Sequence, residues 1–160
     1  LMRSSAASDV YKRQIVTMAK GIAGGMPMGA CAAPAHIAKA YQPGDHGTTF
    51  GGSCLAVAAA TATLGTLSNG FQQHVQETGE YMRQQLAGVS KIKEVRGVGL
   101  MNAIDFDESV DAPALVQKAL GKGLLLNATG AHTLRFLPPL VCEKGDIDAM
   151  VERLNQMIEA

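Results

Sequence analysis

The stretch "CLAVAAATATLGTL", residues 54–67, restricts the fold most, because it carries no charge and no polar face. Ala and Leu favour helix, and a helix that is apolar all round has to be covered on every side. The composition predicts a buried helix over residues 54–67, ending at the "SNG" break of residues 68–70. Past that break the pattern changes. Phe71, Val75, Thr78, Met82 and Leu86 fall on one helical face with polar residues between them, the mark of a helix packed on one side only. The chain therefore divides into residues 15–70, built around a buried helix, and residues 71–160, amphipathic throughout.

The second region predicts a small α/β domain. "IKEVRGVGLMNAIDF", residues 92–106, alternates around Gly97 and Gly99, as two strands or one long bulged strand would. Asp111 can N-cap a helix, with Pro113 in the first turn and Leu115, Val116, Ala119 and Leu120 facing the core. Gly123 closes that helix, residues 124–126 read as a strand, and "HTLRFLPPL" (132–140) is a strand entering a Pro-Pro stop. Ile147, Met150, Val151, Leu154, Met157 and Ile158 mark a final helix, so the order after the first helix reads β, α, β, β, α. Aromatics make up only 4% of the 160 residues and Trp is absent, so Ala, Gly and Met carry much of the 47% hydrophobic content. Small side chains of this kind suit close helix–sheet packing.

In the first region, residues 15–18 form a short apolar run ending at Ala19–Lys20, read as a strand end. Residues 21–29 are a glycine-rich loop, residues 29–33 a second strand, and Pro34 opens a helix over residues 35–41. "QPGDHGTTFGGS" (42–53) is a second loop, dense in turn formers. Residues 1–14, "LMRSSAASDVYKRQ", lack any period and read as a non-native, adapter-like segment, a transit peptide without an amphipathic face being the alternative. The abrupt start of the patterned sequence at Ile15 suggests the C-terminal fragment of a longer protein.

Lys+Arg and Asp+Glu number 14 each, which gives no charge-based reason to expect nucleic acid or an anionic membrane as a partner. No stretch approaches the apolar length of a transmembrane helix. Cys31, Cys54 and Cys142 have no short spacing and read as reduced thiols of a cytoplasmic protein. The four histidines have no metal-ligand spacing, so no metal site is proposed.

Three places could carry chemistry. Lys20 sits after a strand among small residues; in water-poor surroundings its ammonium form is disfavoured and the amine becomes a nucleophile suited to a Schiff base. Gly21, Gly24 and Gly25 would let a ligand approach closely. Equally, Lys20 could simply cap a strand end. "HGTTFGGS" (46–53) gathers two hydroxyls and several backbone N–H groups ahead of a helix, which favours an anion such as phosphate; an ordinary capped turn would look the same. Arg135, within "LRFLPP", could grip a carboxylate bidentately if it faces a cleft, or could lie on the solvent face of an edge strand. Arg96 before Gly97 reads as a structural arginine, with a second carboxylate contact as the alternative.

Order along the chain links these sites. "TMAKGIAGGMPMGA", "HGTTFGGSCLA", "EVRGVGLM" and "LRFLPPL" resemble, in sequence and spacing, blocks of the class III pyridoxal-phosphate aminotransferases, within them most closely the acetylornithine branch. The resemblance covers residues 15–160. It implies an α/β chain forming the C-terminal part of a fold-type I transferase: the end of the large cofactor domain over residues 15–70 and the small domain over residues 71–160. It also implies pyridoxal 5'-phosphate as cofactor, with Lys20 as the catalytic lysine that binds it covalently and Thr49 as the hydroxyl on its phosphate. Thr48 matches a substrate contact and Arg135 the grip on the substrate's α-carboxylate. The implied reaction moves an amino group from N-acetylornithine to 2-oxoglutarate, giving glutamate, in arginine biosynthesis, within a cytoplasmic homodimer sharing its active sites. Ornithine, succinylornithine or 4-aminobutyrate as donor, or a non-catalytic α/β interaction module, are the alternatives. The carboxylate that would hold the cofactor's ring proton, the glycine-rich phosphate loop and the stacking aromatic lie upstream of the lysine in that family. None is in these 160 residues, so this piece alone is expected to be inactive.

Overall fold

A computed structural model describes residues 14–68 and 70–159. The adapter-like reading of residues 1–14 falls, except for Gln14, outside them. The chain divides between residues 69 and 70 into two compact units.

In the first unit, β1 (Val16–Met18) pairs antiparallel with β2 (Ala30–Ala32), Thr17 lying opposite Cys31. Between them the chain makes a 3-10 turn over Lys20–Ala23. Helix α1 is only Ala35–Ala38, shorter than residues 35–41, and residues 42–53 form a loop of turns. Helix α2, Cys54–Ser68, ends one residue from its expected boundary. The 3-10 turn packs on it. Ala23, Ala56 and Ala60 are buried, and a Cβ on Gly24 would come within 3.0 Å of the Thr63 hydroxyl.

The expectation that α2 is buried on every side fails for the described residues. Leu55 is 66% exposed and Val57 and Leu64 nearly half exposed. One short turn can shield only one side of a fifteen-residue helix, so the rest of its apolar surface faces outward within this unit.

The second unit is a two-layer α/β structure. Helix α3 (Phe71–Ala87) leads into the hairpin β3 (Ile92–Val98)–β4 (Met101–Phe106). Helix α4 (Ala112–Gly121), the short β5 (Asn127–Ala128), β6 (Thr133–Phe136) and helix α5 (Lys144–Glu159) follow. The four strands form one antiparallel sheet in the order β3-β4-β6-β5. Alternation decides its faces. Asn102, Ile104, Phe106, Leu134 and Phe136 point inward and are buried, against Met82 and Leu86 of α3 and Ile147, Leu154 and Met157 of α5. The intervening residues point away from the helices.

Local chemistry explains the boundaries. Asp111 caps α4 as its sequence suggests, Oδ1 accepting from the Ala114 N–H at 2.9 Å. Ala112, Leu115 and Ala119 form the buried stripe, and Leu120, expected in the core, is 53% exposed because it lies beyond the flank of that stripe. The strand expected at residues 124–126 begins only at Asn127. Gly123 turns through φ +69°, and the Leu124 N–H donates back to the Ala119 carbonyl at 3.0 Å, so the helix terminus consumes the group a ladder would need. Residues 92–106 are two strands, with a bulge between Ile92 and Glu94.

Close approach fixes how α3 meets the hairpin. Gly79 of α3 lies under the β3–β4 turn, where the Gly99 carbonyl oxygen sits 2.0 Å from where a Cβ would be. Buried Asn102 and half-buried Arg83 both donate to that oxygen, at 3.0 and 3.1 Å, and Arg83 also donates to Asn102 Oδ1 at 3.0 Å.

Candidate active site

Lys20 lies one residue past β1, after Ala19, and has φ +59°. A side chain at positive φ is sterically costly outside glycine, and it throws Lys20 out of the strand's direction at the first residue of the 3-10 turn. Lys91 shares this conformation at φ +63°, in the turn ahead of β3, so positive φ alone does not mark a reactive lysine. What distinguishes Lys20 is the space beside it. A Cβ on Gly21 or Gly25 would meet nothing within 4 Å, and Gly24 and Gly25 both take positive φ. The turn therefore carries an exposed lysine close in sequence to three glycines, with Ile22 half-buried and Ala23 buried between them. Lys20 is exposed rather than in the water-poor surroundings its sequence suggests.

Thr48 and Thr49 belong to the exposed loop of residues 42–53. Its turns close through Gly51 N–H to the Thr48 carbonyl at 3.4 Å and Ser53 N–H to the Phe50 carbonyl at 3.3 Å. Among the described residues neither threonine hydroxyl has an intramolecular hydrogen bond, and none joins Lys20 to the loop. Lys20, Thr48 and Thr49 share the first unit, whereas Arg135 belongs to the second.

Arg135 lies on β6, which is an interior strand of its sheet, not an edge. Leu134 and Phe136 beside it are buried, which turns Arg135 to the solvent face. On that face it sits opposite Ala103 of β4 on one side and Asn127 of β5 on the other. No intramolecular acceptor takes its guanidinium among the described residues. Arg96, by contrast, is occupied. It donates to both oxygens of Asp105, by Nη2 to Oδ1 at 3.1 Å and by Nη1 to Oδ2, and pairs with Glu94 at 3.6 Å. Asp105 also accepts from the Thr133 hydroxyl at 2.7 Å. Hydrogen bonds from Arg96 and then Thr133 hold the Asp105 carboxyl below the usual carboxylate range, against partial burial. Its sequence reading as structural fits this pairing. Asp105, Thr133 and Asn127 drew no attention in the sequence, since only strand register brings them beside the arginines.

The family model for aminotransferase class-III matches residues 7–158. The chain belongs to the class-III aminotransferases. It is 43% identical over 144 residues to an acetylornithine aminotransferase of Corynebacterium efficiens, covering 90% of this chain but 36% of that relative. The solved acetylornithine aminotransferase of Elizabethkingia anophelis superposes with a TM-score of 0.82 at 30% identity, over 96% of this chain and 42% of that one. Plasmodium falciparum ornithine delta-aminotransferase gives 0.79 at 28%, over 92% and 41%. This class-III chain thus has the mixed α/β architecture of the fold-type I enzymes over part of their length, and class-III aminotransferases depend on pyridoxal 5'-phosphate. The first unit offers groups that suit that cofactor: the exposed Lys20 amine near three glycines, and on a separate loop the Thr49 hydroxyl, without an intramolecular hydrogen bond among the described residues, for a phosphate.

Proposed function

We propose that this chain is the part of an acetylornithine aminotransferase that supplies the cofactor-binding lysine and the substrate-carboxylate arginine. The observation that carries the reading is Lys20, exposed at positive φ just past β1 and followed by Gly21, Gly24 and Gly25. Lys20 Nζ holds the cofactor and, once released, takes the proton from the substrate's Cα. Pyridoxal phosphate, when bound, supplies the electron sink that makes this proton removable. The Thr49 hydroxyl donates to the phosphate, Thr48 contacts the substrate beside it, and Arg135 holds the α-carboxylate through paired N–H donors. N-acetylornithine gives the amino group and 2-oxoglutarate receives it, as a step of arginine biosynthesis, in a cytoplasmic homodimer. Support for this donor is the roughly 40% identity to several acetylornithine aminotransferases; ornithine is the second reading, favoured by the structural likeness to ornithine aminotransferases.

The test uses a complete-length chain in which residues 15–160 replace the matching segment of the Corynebacterium efficiens relative. Borohydride reduction with pyridoxal phosphate followed by peptide mapping should label Lys20, and the Lys20→Ala variant should lose both label and turnover. Label elsewhere, or turnover surviving in Lys20→Ala, overturns the reading. Comparing acetylornithine with ornithine as donor decides the substrate.

A further inference from the structure

The outer face of the second unit's sheet holds two arginines placed symmetrically about one carboxylate. Arg96 on β3 and Arg135 on β6 both lie opposite Ala103, the one strand between them. Asp105 stands two residues further along that strand, on the same face, so each arginine is one diagonal away from it. Diagonal neighbours in an antiparallel sheet are about 7–8 Å apart, within reach of long side chains. Arg96 spans its diagonal and binds both carboxylate oxygens. The same span is open to Arg135, and Ala103 between them is too small to block it.

Asp105 is therefore a ready intramolecular competitor for whatever Arg135 binds. Arg96, on the opposite side of β4, engages both of its oxygens and so holds it away from Arg135, while the Thr133 hydroxyl, directly across on β6, donates to Oδ1. We propose that Arg96 is a positioning residue: by holding Asp105 it keeps the Arg135 guanidinium free for a carboxylate ligand. The proposal rests on the reading of Arg135 as the carboxylate grip, and it assigns to Arg96 and Asp105 a role in setting that grip's affinity. Removing Arg96 leaves two unpaired carboxylates facing each other, Asp105 and Glu94, with the Thr133 hydroxyl as Asp105's one neutral partner and Arg135 as the cation one diagonal away, and Asp105 turns to Arg135. An external carboxylate must then displace an exposed ion pair, which weakens its binding about two- to fivefold.

The experiment is nitrogen-15 NMR of arginine side chains in the whole 160-residue chain, with glutarate as the dicarboxylate probe. In the unaltered chain, and equally in Glu94→Gln, which removes the other carboxylate paired with Arg96, acid titration of Asp105 should move the Arg96 Nε–H resonance and leave that of Arg135 still. In Arg96→Gln the response should pass to Arg135, and glutarate should bind about two- to fivefold more weakly. Arg96→Gln/Asp105→Asn should lose the response and recover glutarate binding, which a purely structural role for Arg96 would not produce. Should Arg96→Gln fail to fold, Arg96→Lys keeps the charge but loses the paired grip on both oxygens, and it should weaken glutarate in the same sense, cancelled again by Asp105→Asn. Failure of Arg135 to respond in Arg96→Gln, or of Asp105→Asn to restore binding, overturns the proposal. Absence of any glutarate effect on Arg135 in the unaltered chain overturns the carboxylate reading instead, and the two failures stay distinguishable.

Discussion

Gly79→Ala is expected to destabilise the second unit, although helix propensity alone predicts the opposite. Replacing an interior helical glycine by alanine ordinarily gains about 0.8–1 kcal/mol. Here the new Cβ would lie 2.0 Å from the Gly99 carbonyl oxygen and 2.3 Å from its carbon. Both are backbone atoms that no rotamer change can move. Ordinary contact begins near 3.4 Å, so helix and hairpin must part by more than an ångström. That separation costs about 1–3 kcal/mol as overpacking. It also strains the two hydrogen bonds that Arg83 and Asn102 give the Gly99 carbonyl, each worth about 0.5–1.5 kcal/mol and more where the donor is charged. Set against the propensity gain, the net loss is about 1–4 kcal/mol.

Native-state amide exchange at Ile104 and Leu134, both fully buried in this unit, reads the change without interference from the first unit. Gly121→Ala is the control. It lies at the end of α4 with nothing within 4 Å of its Cβ position, so it should be neutral or stabilising by up to about 1 kcal/mol. If Gly79→Ala leaves exchange as slow as in the unaltered chain, or slows it, the close approach of α3 to the hairpin is not what fixes their packing.

Three further outcomes are expected. Asp111→Ala removes the cap on the Ala114 N–H and should cost about 1 kcal/mol, seen as faster exchange across α4; unchanged exchange would mean that the cap contributes nothing. Asp105 is held below its unfolded value by Arg96 and Thr133, so its stabilisation is fully present above the unfolded carboxylate range and is lost as pH falls through the lower folded value. Asp105→Asn should flatten that acid limb in a pH series of amide exchange, and an identical limb would refute the linkage. Finally, pyridoxal phosphate added to the 160-residue chain alone should give no stable long-wavelength absorbance and no transamination, and robust turnover by this piece would overturn that expectation.

Legibility differed between the two units for a physical reason. In the second unit each helix needs only one apolar stripe, and the stripe is written in the sequence: Thr78, Met82 and Leu86 were placed inward by spacing and are buried. Where local spacing misled, at Leu120 and at residues 124–126, the cause was competition over a few residues at the end of α4, which periodicity does not resolve. In the first unit the all-apolar pattern of α2 states only that something must cover it, not what. Its exposed Leu55, Val57 and Leu64 sit in a chain spanning 36% of a relative's length, and no spacing within α2 tells which surface covers them.

The candidate site divides along the same line. Lys20, Thr48, Thr49 and Arg135 stand out in sequence because each sits in a short block whose order is specific. Their surroundings do not stand out, because they come from register. Nothing in "NAIDF" announces that Asp105 lies one diagonal from two arginines, and nothing in "EVRG" says which of them it binds. Pairing of Ala103 with both Arg96 and Arg135 creates that choice. On the proposed reading, Arg135's availability for a ligand depends on a neighbouring strand: among the described residues it has no intramolecular acceptor, and Arg96 holds the carboxylate one diagonal away.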